Sequence, residues 1–271
     1  MHEEEITINS ETEQAEHEGE ELQPAPSAEP LNRTIELSAK LEPFDSYWQA
    51  PDNREAGYKS FFQYYKHNYL AHLPQDKTAK LLVISCGPGY LVNMLEGQGY
   101  ENVLGIDSDA EKIAFARKRK LNCMQFECFP FLEGKHDEYD VIIAEQELNH
   151  LTLNEMISFV TLSRESLRQG GRLIVYTLNG ANPLVGSENL SHNIDHFNTL
   201  TEYSVKQVLS LGGMKNIQVF PLKLYVFWKN PMNYVGLLAT MVIELFFRAC
   251  FALYGKKVKI LTKKLLAVCE K

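Results

Sequence analysis

Three residues carry the clearest chemistry in this chain. Gly87 and Gly89 follow the short apolar run 81–84 (LLVI), and Asp107 closes a second run, 102–106, 18 residues past Gly89. Glycines directly after a buried strand allow a tight turn and let a ligand approach the backbone. A carboxylate at the end of the next strand can accept both hydrogen bonds of a ribose diol. Together they read as half of a nucleotide-binding site, with Ser85 opening the turn and Ser108 beside the aspartate. Glu127 and Gln146 also follow strand-like runs and join the candidate cofactor-binding set. His150 and His196 are the candidate catalytic residues, because an imidazole titrating near neutrality suits proton removal. Each has a structural alternative: Glu127 as a surface carboxylate, the histidines as satisfied polar residues, and Glu145 and Glu147 as solvated or structural.

The elements that must position these residues alternate in type. An amphipathic, aromatic-rich helix over 52–71 is placed to lean over the pocket. Ser108 with Glu111 reads as a capping box that starts a helix directly after Asp107, and Thr152 with Glu155 reads as another. Further strands fall at 123–127, 139–144 (YDVIIA) and 172–177 (RLIVYT), the last after a helix broken by Gln169-Gly170-Gly171. Repeated units of this length predict an α/β fold, a Rossmann-like doubly wound sheet with helices on both faces. In such sheets ligands sit beyond the carboxyl ends of the strands, so one pocket collects the strand-end residues named above.

Charge and cysteine usage narrow the classes. The net charge of -8 arises in the first 31 residues, which hold ten Glu and no Lys or Arg; the rest carries 27 basic against 25 acidic residues. That near-neutral body has no nucleic-acid footprint. Residues 1–40 read as a disordered acidic tail, too poor in large apolar side chains to offset the entropy of ordering. Five cysteines without a C-x-x-C pair argue against a disulfide framework and a zinc site and favour a reducing cytoplasm. The acidic start does not resemble a signal peptide.

With these motifs in place, the chain resembles the class I S-adenosylmethionine-dependent methyltransferases over residues 44 to about 228 and in its final strand. SCGPG resembles that family's glycine motif, GIDSD its ribose-binding segment, and LRQGG its turn before strand five. Within the family the chain is most similar to enzymes of bacterial cell-surface polysaccharide pathways, on the strength of His150, Asn179, His196 ahead of Leu200-Thr201, and the closing LTKKLLAVCEK. The resemblance implies a seven-stranded sheet with an antiparallel last strand, strands six and seven lying at 216–221 and about 262–269. It implies S-adenosylmethionine as cofactor, Glu127 at the adenine, Gln146 at the methionine end, and His150, then His196, as the base for a hydroxyl acceptor. The chain departs from the pattern at Val83, where an acidic residue that helps hold the methionine ammonium is usual, at Ser85, where glycine is usual, and at Asn149, where the acidic partner of the histidine is usual. A nicotinamide-dependent oxidoreductase is a competing reading, although Val92 stands where its third glycine belongs. A non-catalytic methyltransferase-like binding protein is the reading from the departures.

The domain boundaries expected are 41–228 for the methyltransferase domain, 229–259 for a hydrophobic helical insertion and 260–271 for the final strand. The insertion holds twenty residues, 234–253, long enough to cross a bilayer, with Glu244 and Arg248 spaced to pair on one helical face. Lys256, Lys257, Lys259, Lys263 and Lys264 follow and suit an anionic surface. An interfacial helix over 231–264, a lid or homodimer helix, and a true span are the three readings. The expected partner is a small-molecule or glycan acceptor, and the expected location is the cytoplasm or the inner face of the membrane.

Overall fold

The computed structural model describes residues 54–145, 147–191, 196–224 and 231–271. The acidic tail and Gln146 lie outside the described residues. The chain folds as helix α1 (Arg54–Tyr69), strand β1 (Lys80–Ile84), α2 (Tyr90–Gly97), β2 (Asn102–Asp107), α3 (Ala110–Lys118), β3 (Cys123–Gln125), α4 (Cys128–Leu132) and β4 (Tyr139–Ala144). It continues through α5 (Leu153–Ser166), β5 (Leu167–Leu178), α6 (Gly186–Ser191), α7 (Glu202–Leu211), β6 (Lys215–Pro221), α8 (Pro231–Leu253) and β7 (Lys264–Glu270). The strands form one seven-stranded sheet in the order β3-β2-β1-β4-β5-β7-β6. β1 to β5 pair in parallel, and β7 runs antiparallel to both β5 and β6.

Strand alternation builds two cores. Leu81, Val83, Val141, Ile143 and Ile174 face α1, α2 and α3, while Leu82, Ile84, Ile142, Leu173 and Val175 face α5 and α7. Both faces are covered, which is why these strands are nearly all apolar. The order of strands reverses between β1 and β4, and that switch point is where a doubly wound sheet opens its ligand crevice.

Several local expectations are corrected. The cap of α3 is Asp109, not Ser108: the Asp109 carboxylate accepts from the Glu111 and Lys112 amides, because β2 extends one residue further, through Asp107. Thr152 and Glu155 do form the reciprocal capping box of α5. β5 begins at Leu167, before the glycine pair, since buried Leu167 pairs with Tyr139 across a register irregularity in β4. Helix α1 is described over Arg54–Tyr69 and passes into a 3-10 turn, Leu70–His72. Lys263 and Lys264 are partly buried, unlike exposed Lys256, Lys257 and Lys259, and Lys264 at the start of β7 donates to the Tyr176 hydroxyl at 2.8 Å.

Helix α8 is long and apolar enough to cross a membrane, and none of its residues is buried. Met232, Leu238, Met241, Val242, Leu245 and Phe246 are all more than half exposed. Glu244 and Arg248 pair at 3.7 Å, as their spacing predicts, and Arg248 also donates to the Lys259 carbonyl at 2.6 Å. A lid packed on its own sheet would bury one face of this helix, so that reading is not met.

Candidate active site

The turn after β1 is built around positive φ. Ser85 (φ 54), Gly87 (φ 54) and Gly89 (φ 81) adopt the left-handed region, costly for serine and free for glycine. The two glycines serve different ends. A Cβ at Gly89 would lie 2.8 Å from Leu121 and 3.2 Å from Ala116, so Gly89 lets α2 and α3 close against the sheet. A Cβ at Gly87 would meet nothing within 4 Å. Open space over a backbone bent this way is a cradle that a ligand can fill.

Asp107 ties this turn to the next. Its Oδ2 accepts from the Gly87 amide at 2.8 Å and its Oδ1 from the Asp109 amide at 2.9 Å. Burial raises its pKa, opposed by Lys112 and by those two amide hydrogen bonds. Each carboxylate oxygen keeps a second lone pair, as a ribose diol requires. Ser108 is exposed, and its carbonyl accepts from the Gln125 side chain at 3.2 Å. Glu127, also exposed, follows Phe126, whose amide donates to the Asp107 carbonyl, so it stands on the same rim.

At the switch point the two strands are joined by side chains the sequence reading set aside. The Ser85 hydroxyl donates to Glu147 Oε2 at 2.5 Å, and the Glu145 amide donates to the Ile84 carbonyl at 3.2 Å. The Glu145 carboxylate accepts from the Tyr65 hydroxyl at 2.8 Å and from Tyr69 at 3.4 Å, both on α1. Burial pushes its pKa up to about 7, with the tyrosine hydrogen bonds and Lys264 restraining the shift. Strand spacing gives only part of the signal: Glu145 follows Val141 and Ile143 and so shares their face of the sheet, while its cover comes from α1. Helix α1 also reaches the glycine turn, where the Tyr58 hydroxyl donates to the Pro88 carbonyl.

The two histidines meet. His150 ends the 3-10 turn Glu147–His150, His196 lies in the loop between α6 and α7, and their rings are 4.8 Å apart in an edge-to-face arrangement. His196 Nδ1 lies 2.7 Å from the Asn189 carbonyl. A carbonyl only accepts, so Nδ1 carries the proton and Nε2 is left as the acceptor. Two asparagines clamp these segments together. Buried Asn149 donates to the Asn198 carbonyl at 3.0 Å and accepts from the Leu178 amide at 3.3 Å, while Asn198 donates to the Leu148 and Leu151 carbonyls at 3.1 and 2.7 Å. Asn149 is thus a buried tie between these segments. Asn179 is likewise a tie, donating to the Ile260 and Thr262 carbonyls. Among the described residues no cluster of His, Cys, Asp and Glu is arranged to hold a metal ion.

Residues 81–171 match the family described as Methyltransferase domain. Among solved structures, a SAM-dependent methyltransferase from Archaeoglobus fulgidus is similar over 83% of this chain and 100% of its own, with 15% identity and a TM-score of 0.60. The fold is that of the class I S-adenosylmethionine-dependent methyltransferases, and residues 81–171 carry the match to the methyltransferase domain. Phosphoethanolamine N-methyltransferase 2 of Haemonchus contortus, solved in complex with S-adenosyl-L-methionine, is similar over 83% of this chain and 59% of that enzyme, with 12% identity and a TM-score of 0.53. No curated protein sequence matches the chain. The antiparallel β7 between β5 and β6 separates this methyltransferase fold from the all-parallel dinucleotide sheet of the oxidoreductase reading. S-adenosylmethionine is the cofactor of the class, and the open Gly87 cradle with the two-coordinate Asp107 carboxylate fits its nucleoside.

Proposed function

We propose that this protein transfers the methyl group of S-adenosylmethionine to a hydroxyl oxygen of a glycan or lipid-linked sugar, working at the cytoplasmic face of a membrane. The contact between His150 and His196 carries the oxygen-acceptor reading. A sulfonium cofactor supplies an activated methyl group, so the chain's task is to align the reactants, exclude water and remove one proton. His150, in the turn that leaves β4 at the switch point, is the residue that takes that proton. His196, with Nδ1 held by the Asn189 carbonyl, presents Nε2 beside it and orients the pair. The turn after β1 and Asp107 hold the nucleoside, and Glu127 stands toward the adenine.

The exposed apolar face of α8 supports attachment to a membrane, its occupant being an anionic lipid surface. Exposed Lys256, Lys257 and Lys259 directly follow the helix and supply the complementary charge. Such a location brings a lipid-linked sugar to the site.

The test is methyl transfer from isotopically labelled cofactor to candidate glycans and lipid-linked sugars, read by mass. Replacing His150 with Ala should slow transfer roughly 100-fold with cofactor affinity nearly unchanged, and His196→Ala should slow it as well. Full activity in both variants on the true acceptor would show that neither histidine takes the proton.

A further inference from the structure

We propose that Glu145 binds the ammonium group of the cofactor's methionine moiety, replacing a carboxylate that β1 lacks. The inference rests on the cofactor reading above and adds to it a residue outside the glycine turn. In the pattern this chain resembles, an acidic residue stands at the position of Val83. Here Val83 is apolar and fully buried, and the strand KLLVI carries no carboxylate. Val83 is the register partner of Ile143, and Ile84 of Ala144, which places Glu145 one step further toward the carboxyl edge on the neighbouring strand. Val83 and Ile143 belong to the same face of the core, and strand spacing puts Glu145 on that face too. A carboxylate is therefore restored on the same face, on the neighbouring strand and two residues nearer the carboxyl edge, where such sheets bind their ligands.

The surroundings suit a cation. Tyr65 and Tyr69 each donate one hydrogen bond to a different oxygen of Glu145, which fixes the carboxylate and leaves further lone pairs. The titratable groups facing it are Tyr64, Tyr65 and Tyr69 from α1, Lys264 from β7 and Cys86 from the turn, with Tyr176 of β5 beside Tyr69. Burial holds the three α1 tyrosines and Cys86 neutral, so Lys264 carries the charge, and its ammonium donates to Tyr176. With its pKa near 7 the free carboxyl is half protonated at neutral pH, and an arriving ammonium favours the anion.

Calorimetry with S-adenosylhomocysteine and with 5′-methylthioadenosine, which lacks the amino acid, tests this. In the wild-type protein, affinity for S-adenosylhomocysteine should strengthen roughly fivefold from pH 6 to pH 7.5, beyond any change seen with 5′-methylthioadenosine. Glu145→Gln should weaken S-adenosylhomocysteine about tenfold at pH 7.5, remove that extra pH dependence, and leave 5′-methylthioadenosine within about twofold. If Glu145→Gln does not fold, Glu145→Asp should show the same selective loss at smaller amplitude. Unchanged affinity and pH dependence, with only the transfer rate reduced, would overturn the proposal in favour of a role toward the acceptor. Equal losses for both ligands would overturn it in favour of general support of the pocket. A wild-type protein that binds neither ligand would overturn the cofactor reading itself.

Discussion

Asp107 holds two backbone amides from consecutive turns, so its carboxylate serves the fold before any ligand arrives. Removing it should have two effects at once. Asp107→Ala is expected to cost on the order of 2 to 4 kcal/mol of cofactor affinity, through the lost charge-assisted hydrogen bonds to the ribose and the loosened Gly87 turn. Calorimetry on that variant checks it, and unchanged affinity would remove Asp107 from the site. Asp107, Gly87 and Gly89 were legible in the sequence because their spacing is local and each type has few other reasons to stand there. Glu145 was not, because the tyrosines that hold it come from α1, 80 residues away for Tyr65. A carboxylate after an apolar strand reads as solvated until the helix that roofs it is in place.

Among the elements, the turn after β4 and the loop before α7 matter most to the proposed chemistry, and neither is regular secondary structure that periodicity reveals. Their relation is set by Asn149 and Asn198, each spanning the two segments with backbone hydrogen bonds. Asn149→Ala would leave the Leu178 amide and the Asn198 carbonyl without their partner in a buried place. The expected loss is roughly 2 to 4 kcal/mol of stability, measurable by urea unfolding, accompanied by a lower transfer rate as the histidines separate. Cofactor affinity should change little, since the proposed nucleoside contacts lie in the turn after β1 and at the end of β2. Strand cores and the Thr152 cap were legible because burial and capping leave a short-range pattern. The Asp109 cap was misplaced by one residue because Ser108 and Asp109 are both good caps, and only the end of β2 decides between them.

At the scale of the whole molecule, two environments meet: a closed sheet with cores on both faces, and a bare apolar helix. The doubly wound sheet was legible from the alternation of strand and helix, and the antiparallel last strand came from the resemblance. The exposure of α8 was not legible, because length and composition alone suit a buried helix equally well. In the proposed attachment to a membrane, burial of several large side chains would contribute roughly 1.5 to 3 kcal/mol each, with about 1 kcal/mol for each exposed lysine on anionic lipid. Sedimentation with phosphatidylserine-containing liposomes should therefore pellet the protein, and Lys256→Gln, Lys257→Gln and Lys259→Gln together should weaken that binding. Protein that stays in the supernatant with every lipid mixture, yet forms dimers through α8, would assign the helix to a second copy of the chain.

The pairing of β6 with β7 sets the engineering properties of this excursion. Pro221 is the register partner of Leu265, and the Leu222 amide donates to the Lys264 carbonyl, so the two arms leave the sheet side by side. They are also fastened separately, Lys223 through its amide to the Asn68 side chain and Ile260 through its carbonyl to Asn179. Topologically, everything between them is the tip of a hairpin. A short glycine-serine link from Leu224 to Ile260 would remove the exposed apolar helix while keeping every strand and both fastenings. The same geometry means that gain or loss of this segment would leave the sheet and the strand-end residues in place, so the segment can change independently of the site.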